Sequence, residues 1–174
     1  MESDQLPLSK EVLAVMRGAV TYAIASESDF VSAPHLLLAL LDDADVGDVL
    51  ADFLERGKIV IETKKKKSSG VLEMPEGALP SDETAPFKRY DTLAFRSADG
   101  ETSRWLDRDT FKVFIEGARR VTDGPYKPKH LAAGYMSESI KDRDLQVLLG
   151  RDPQAVTMAI FELVAPPPPP EPVI

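Results

Sequence analysis

Residues 8–41 read LSKEVLAVMRGAVTYAIASESDFVSAPHLLLALL, and residues 106–136 read LDRDTFKVFIEGARRVTDGPYKPKHLAAGYM. Shifted by 98 positions, the second stretch sets apolar or small residues on their own kind. Leu106 falls on Leu8, Phe111 on Leu13, Val113 on Val15, Phe114 on Met16, Gly117 on Ala19, Ala118 on Val20 and Val121 on Ala23. A three-residue deletion in the next loop then brings His130-Leu131 onto His35-Leu36, so both histidines of the chain occupy one repeat position. Self-similarity on this scale sets the architecture before any single element does.

Within each copy the period is helical. Val12, Val15, Met16, Ala19, Val20 and Ala23 recur at spacings of three and four and form one apolar stripe. Ser9 and Asp107 stand just ahead of the two matching stripes, where a side-chain oxygen can accept from the free N–H groups of the first turn. A second helix opens near Ala33-Pro34 and near Pro128-Lys129, since proline suits a first turn that has no use for its missing N–H. Leu36, Leu37, Leu40 and Leu41 continue it in copy one; Leu131, Tyr135 and Met136 do so in copy two. A third apolar group follows in each, Val46, Val49, Leu50, Phe53 and Leu54 before Gly57, against Leu145, Val147, Leu148 and Leu149 before Gly150. Copy two closes on a helix over Pro153–Leu163. At that point copy one has Lys58–Thr63, KIVIET, whose β-branched run predicts a strand.

The order of features is an apolar residue, Ser/Thr, a helix with a small-residue stripe, a polar loop, and Val followed by x-His-Leu-Leu-x-x-Leu-Leu. It resembles the double repeat of the Clp amino-terminal domain, found at the front of the ClpA, ClpB and ClpC unfoldases and in some free-standing proteins. VSAPHLLLALL at 31–41 stands where that family has V-G-T-E-H-L-L-L-G-L-L; copy two is further from the pattern but in register. The resemblance covers roughly 8–57 and 106–164. It implies a mainly α, pseudo-two-fold double Clp-N helical repeat that binds protein substrates or adaptors, with chaperone and protease-regulation roles. The expected organisation is one domain over 1–164, with repeat one at 8–57, a long, partly β inter-repeat connector at 58–105 and repeat two at 106–164. A Pro-rich tail occupies 165–174.

The connector is longer than the family's usual loop. It holds Lys64-Lys-Lys-Lys67, Ser68-Ser-Gly70 and prolines at 75, 80 and 86. Strand character appears at Lys58–Thr63, Gly70–Glu73 and Thr92–Arg96, and Ser97-Ala-Asp-Gly100 signals a turn. A β-hairpin or small sheet packed on the helices is expected, with a mobile centre. The lysine run reads as a solvated tip or a guard on a β-edge. Around it the aromatic residues of a single-strand nucleic-acid binder are missing. Five consecutive prolines in the tail favour an extended spacer or a groove ligand.

At 174 residues, 43% hydrophobic and 29% charged, the composition is that of a globular protein. The chain has no apolar run of spanning length, no signal-peptide pattern and no cysteine, so no membrane association is expected and the cytoplasm is the default. Charge is uneven: residues 1–57 hold 11 acidic and 3 basic residues, and the remainder 18 of each. Asp42, Asp43, Asp45, Asp48 and Asp52 give copy one a negative face, which argues against nucleic acid and suits either solubility or a basic protein partner.

Nothing in the chain assembles a catalytic site. G-x-x-x-x-G-K-[ST] is absent, so no nucleotide is expected, and H-E-x-x-H is absent. Neither histidine has a local carboxylate partner, which predicts structural rings bonded to backbone at the second helix start rather than a metal pair. No serine has an oriented base. The expectation is therefore a non-enzyme without cofactor or metal.

In relatives that hold phosphoarginine, the resemblance assigns the ligand to the Glu of Glu-His-Leu-Leu and the Thr opening the first helix. Here those positions are Pro34 and Lys129, and Ser9 and Asp107. Both carboxylates are lost and Asp107 would repel phosphate, so phosphoarginine is not expected to bind in that way. Hydrophobic peptides and adaptors dock in relatives near the apolar residues ahead of the first helices. The candidate partner-binding residues are accordingly Leu8, Ser9, Val12, Trp105, Leu106 and Thr110; alternatively they close the repeat interface. Trp105 can equally pin the connector to the core. The expected partners are Clp unfoldase or protease subunits, adaptors or substrate polypeptides. The alternatives are a decoy that sequesters ligands of such domains, an unrelated interaction scaffold, and a metal- or nucleic-acid-linked accessory.

Overall fold

A computed structural model describes residues 8–65, 94–122 and 124–164 of the chain. Among these, eight helices and three short strands pack around one apolar core. In chain order they are α1 (Lys10–Ala25), β1 (Phe30–Val31), α2 (Ala33–Leu41), α3 (Ala44–Ala51), α4 (Arg56–Lys65), β2 (Ala94–Arg96), β3 (Ser103–Leu106), α5 (Arg108–Arg119), α6 (Pro128–Lys141), α7 (Arg143–Val147) and α8 (Pro153–Val164). The protein is mainly helical, as the apolar periods predict.

The stripe on α1 is buried as expected: Val12, Val15, Met16, Ala19, Val20 and Ala23 all face the core. Helix α2 is buried on all sides from Ala33 to Leu40, and α6 over Leu131–Met136. They are the central helices, against which α1 and α5 and then α4 and α8 are laid. The α5–α6 crossing is close because two glycines meet there. A Cβ on Gly134 would lie 2.4 Å from the Val113 carbonyl oxygen and 2.5 Å from the Gly117 nitrogen. Tyr126 fills the space beside them, stacks on Phe114 at 4.9 Å between ring centres, and donates to the Phe114 carbonyl at 2.7 Å.

One sequence expectation is corrected. Lys58–Thr63 is not a strand but part of α4. Ile59 and Thr63, four residues apart, are the buried positions, and Ile61 between them is exposed, which is a helical pattern of burial. Packing against α2 overrides the β-propensity of Ile-Val-Ile, because propensity amounts to tenths of a kcal/mol per residue and burial of Ile to about 2 kcal/mol. The helix start is also tied down, with Arg56 bonded to both Tyr22 and Asp42.

The connector does carry β-structure. β2 and β3 form an antiparallel hairpin, and β1 joins β3 in parallel, giving the strand order β1-β3-β2. The turn read at Ser97–Gly100 is present. Gly100 has φ of 76°, and Ser97 N–H donates to the Thr102 carbonyl at 2.6 Å. Val31 and Leu106 are register partners with no exposed surface and turn inward, while Phe95 packs on Phe114. Gly70–Glu73, the second half of the lysine run (Lys66 and Lys67) and the Pro-rich tail lie outside the described residues; Lys64 and Lys65 end α4.

Candidate protein-binding surface

Two pairs of caps organise the helix starts. Ser9 Oγ accepts from Val12 N–H at 3.0 Å, and the Asp107 carboxylate accepts from Thr110 N–H at 2.9 Å. These satisfy donors that an uncapped helix would leave open. The same residues bond across the molecule through their backbone. Ser9 N–H donates to the Tyr126 carbonyl at 3.0 Å and Asp107 N–H to the Val31 carbonyl at 2.9 Å. Leu8 and Tyr126 form a parallel bridge, as do Leu106 and Val31.

The histidines cap the next helices. His35 Nδ1 accepts from Ser32 N–H at 3.0 Å, and His130 Nδ1 accepts from Lys127 N–H at 2.9 Å. An accepting Nδ1 places the ring proton on Nε2. In His35 that proton faces Ser26 Oγ at 2.7 Å, and Ser26 in turn donates to the Ala23 carbonyl. Burial holds the His35 pKa down at about 4. Burial also lowers that of His130, helped by the charges of Lys129 and Lys127. Both rings are thus neutral caps at neutral pH. Among the described residues no group of three or more His, Asp or Glu side chains is placed to hold a metal ion.

The six residues named from sequence divide by burial. Val12, Leu106 and Thr110 have no exposed surface and Ser9 is 8% exposed, so in this conformation these four close the core and offer nothing to a partner. Thr110 Oγ1 is buried with no hydrogen-bond partner among the described residues. Leu8 and Trp105 remain half-buried. Trp105 is the register partner of both Phe30 and Ala94, so these side chains share the sheet face turned away from Val31 and Leu106. Phe30, also half-buried, is a neighbour of Trp105 on this face that sequence reading missed. Its signal is a parallel pairing between residues 75 positions apart, which no local pattern carries.

A separate cleft of about 610 Å³ opens where the α3–α4 and α7–α8 junctions meet. Phe53, Ile59, Ile61, Val147 and Leu148 line it with apolar surface; Asp52, Glu55, Glu62 and Asp152 bring carboxylates, against Lys58 and Arg151. Ile61 and Val147 are 51% and 65% exposed. None of the six contact candidates named from sequence lines it. Among the described residues no helix is long and apolar enough to cross a membrane. No protein-family model matches the chain, and no curated protein is significantly similar to it.

Proposed function

We propose that this protein is a non-catalytic protein-binding module of the Clp amino-terminal kind, working in the cytoplasm, that recruits substrates or adaptors to a Clp-type ATP-dependent unfoldase or protease, or modulates it. The observation that carries the reading is the exchange of backbone bonds between the two halves, Ser9 to Tyr126 and Asp107 to Val31. Ser9 and Asp107 are equivalent in the sequence repeat, and so are Val31 and Tyr126 once the loop deletion is allowed for. His35 and His130, also equivalent, make the same cap bond. Such reciprocity supports two copies of one unit locked together, and the motif V-S-A-P-H-L-L-L-A-L-L supplies the resemblance to the Clp domain.

Of the residues first named, Trp105 and Leu8 are what remain for contact, and Trp105 has Phe30 beside it on the sheet face. Half-buried aromatics present large apolar area at little entropic cost, as anchors of protein contacts do. The test is affinity capture from the native cytoplasm with wild type and a Phe30→Ala/Trp105→Ala variant whose fold is checked by circular dichroism. Enrichment of Clp subunits by wild type alone is expected. Capture without Clp subunits, or equal capture by the variant, overturns the Clp role or the surface respectively.

A further inference from the structure

The cleft between the α3–α4 and α7–α8 junctions has a charge arrangement that its own helices do not explain. Asp45, Asp48 and Asp52 follow one another at spacings of three and four along α3 and its C-cap, and all three are exposed. Like charges at that spacing repel and destabilise the helix. Carboxylates near a helix C-terminus also oppose its dipole, and α3 has no basic residue in its last turn. The ridge ends at Asp52, on the cleft. Glu62, on α4, adds another carboxylate to the lining. Of the two cations in the lining, Lys58 is engaged by Glu55 at 3.1 Å, and Arg151 stands among four carboxylates, Asp52, Glu55, Glu62 and Asp152. Ile61 and Val147, also in the lining, stand exposed.

We propose that this cleft takes a basic amphipathic polypeptide segment, with large apolar side chains against Ile61 and Val147 and Lys or Arg side chains on Asp52, Glu62 and the acidic face of α3. The two halves of the site ask for different things of one ligand. The apolar wall needs burial, and a lining in which four carboxylates face two cations needs positive charge. A nucleic acid or an anionic lipid surface meets the second demand with the wrong sign. A basic peptide meets both, and charge complementarity of this kind also speeds association and discriminates against acidic partners. Apolar patches with a charged rim are what such recognition uses. The proposal stands apart from the Clp reading, since its test contains no Clp subunit.

The experiment pans a displayed library of random peptides, about 12 residues long or roughly 18 Å if helical, against the whole chain. Counter-selection uses the Ile61→Asp/Val147→Asp variant, whose substitutions fall on exposed side chains. Enriched peptides are then synthesised and titrated against wild type and against an Asp52→Lys/Glu62→Lys variant. The expected winners carry net positive charge and two or more large apolar residues. They lose at least about tenfold in affinity, about 1.4 kcal/mol, on each variant, and weaken further with added salt. Winners of neutral or negative charge, equal binding to both variants, or no enrichment over the counter-selected variant would each overturn the proposal. The charge-reversal variant keeps the test decisive if the apolar one unfolds.

Discussion

The backbone N–H of Asp107 donates to the carbonyl oxygen of Val31 at 2.9 Å, tying the start of α5 to the residue that precedes the cap of α2. The Asp107 side chain, 1% exposed, meanwhile caps α5 through Thr110 N–H. One residue thus holds a helix end and a junction between distant segments. Asp107→Ala removes the side-chain acceptor and leaves Thr110 N–H buried without it. A loss of about 1–2 kcal/mol is expected. Asp107→Ser, which restores the type of cap found at Ser9, recovers most of it. Urea unfolding of both variants, read as midpoint shifts at constant slope, checks the difference.

Thr110 is the buried residue whose hydroxyl has no partner among the described residues, and the repeat offset places Val12 at the matching site. Thr110→Val removes an unsatisfied polar atom while preserving shape. Stability should stay level or rise by up to about 1 kcal/mol. A thermal melt that falls instead would mean that the hydroxyl is bonded in solution.

Gly134 sits where α5 and α6 come closest, with backbone atoms on the far side of the gap. Backbone cannot rotate away as a side chain can. Gly134→Ala gains helix propensity, at most about 1 kcal/mol, yet must part the two helices. We expect a net loss of about 1–3 kcal/mol, opposite in sign to the usual effect of Gly→Ala in a helix. Chemical denaturation settles the sign.

His35 makes the fold sensitive to acid. Its ordinary pKa is 6.5 and its folded value is about 4, because the buried ring resists a charge and its Nδ1 is already accepting from Ser32 N–H. As pH falls below 6.5 the unfolded chain takes up a proton that the folded chain refuses. Stability is therefore whole above 6.5 and drains as pH approaches 4. The total from this group is about 3 kcal/mol, and His130 acts in the same direction. His35→Gln keeps an acceptor at the same capping position without a titrating ring. Its unfolding free energy should depend less steeply on pH across that window; an unchanged slope would assign the acid sensitivity elsewhere.

The apolar stripes and the caps at Ser9 and Asp107 were legible from the chain alone, because helix periodicity and capping depend on residues three or four apart. The expectation that the histidines bond to backbone at the second helix start had the same local basis. So did the turn at Ser97–Gly100 and the strand at Ala94–Arg96. What sequence could not carry were relations between distant segments. Ile-Val-Ile at 59–61 has strand propensity, and only the surface of α2 beside it makes the run helical. The residues proposed for partner contact were chosen for their place ahead of the helices, yet burial of Val12, Leu106 and Thr110 is decided by what the other half lays over them. Phe30 meets Trp105 through a parallel pairing, and Ile61 meets Val147 across a cleft. Local order was written in short spacings; exposure, and with it every candidate surface, was decided by tertiary packing, because burial is a property of neighbours that sequence distance does not rank.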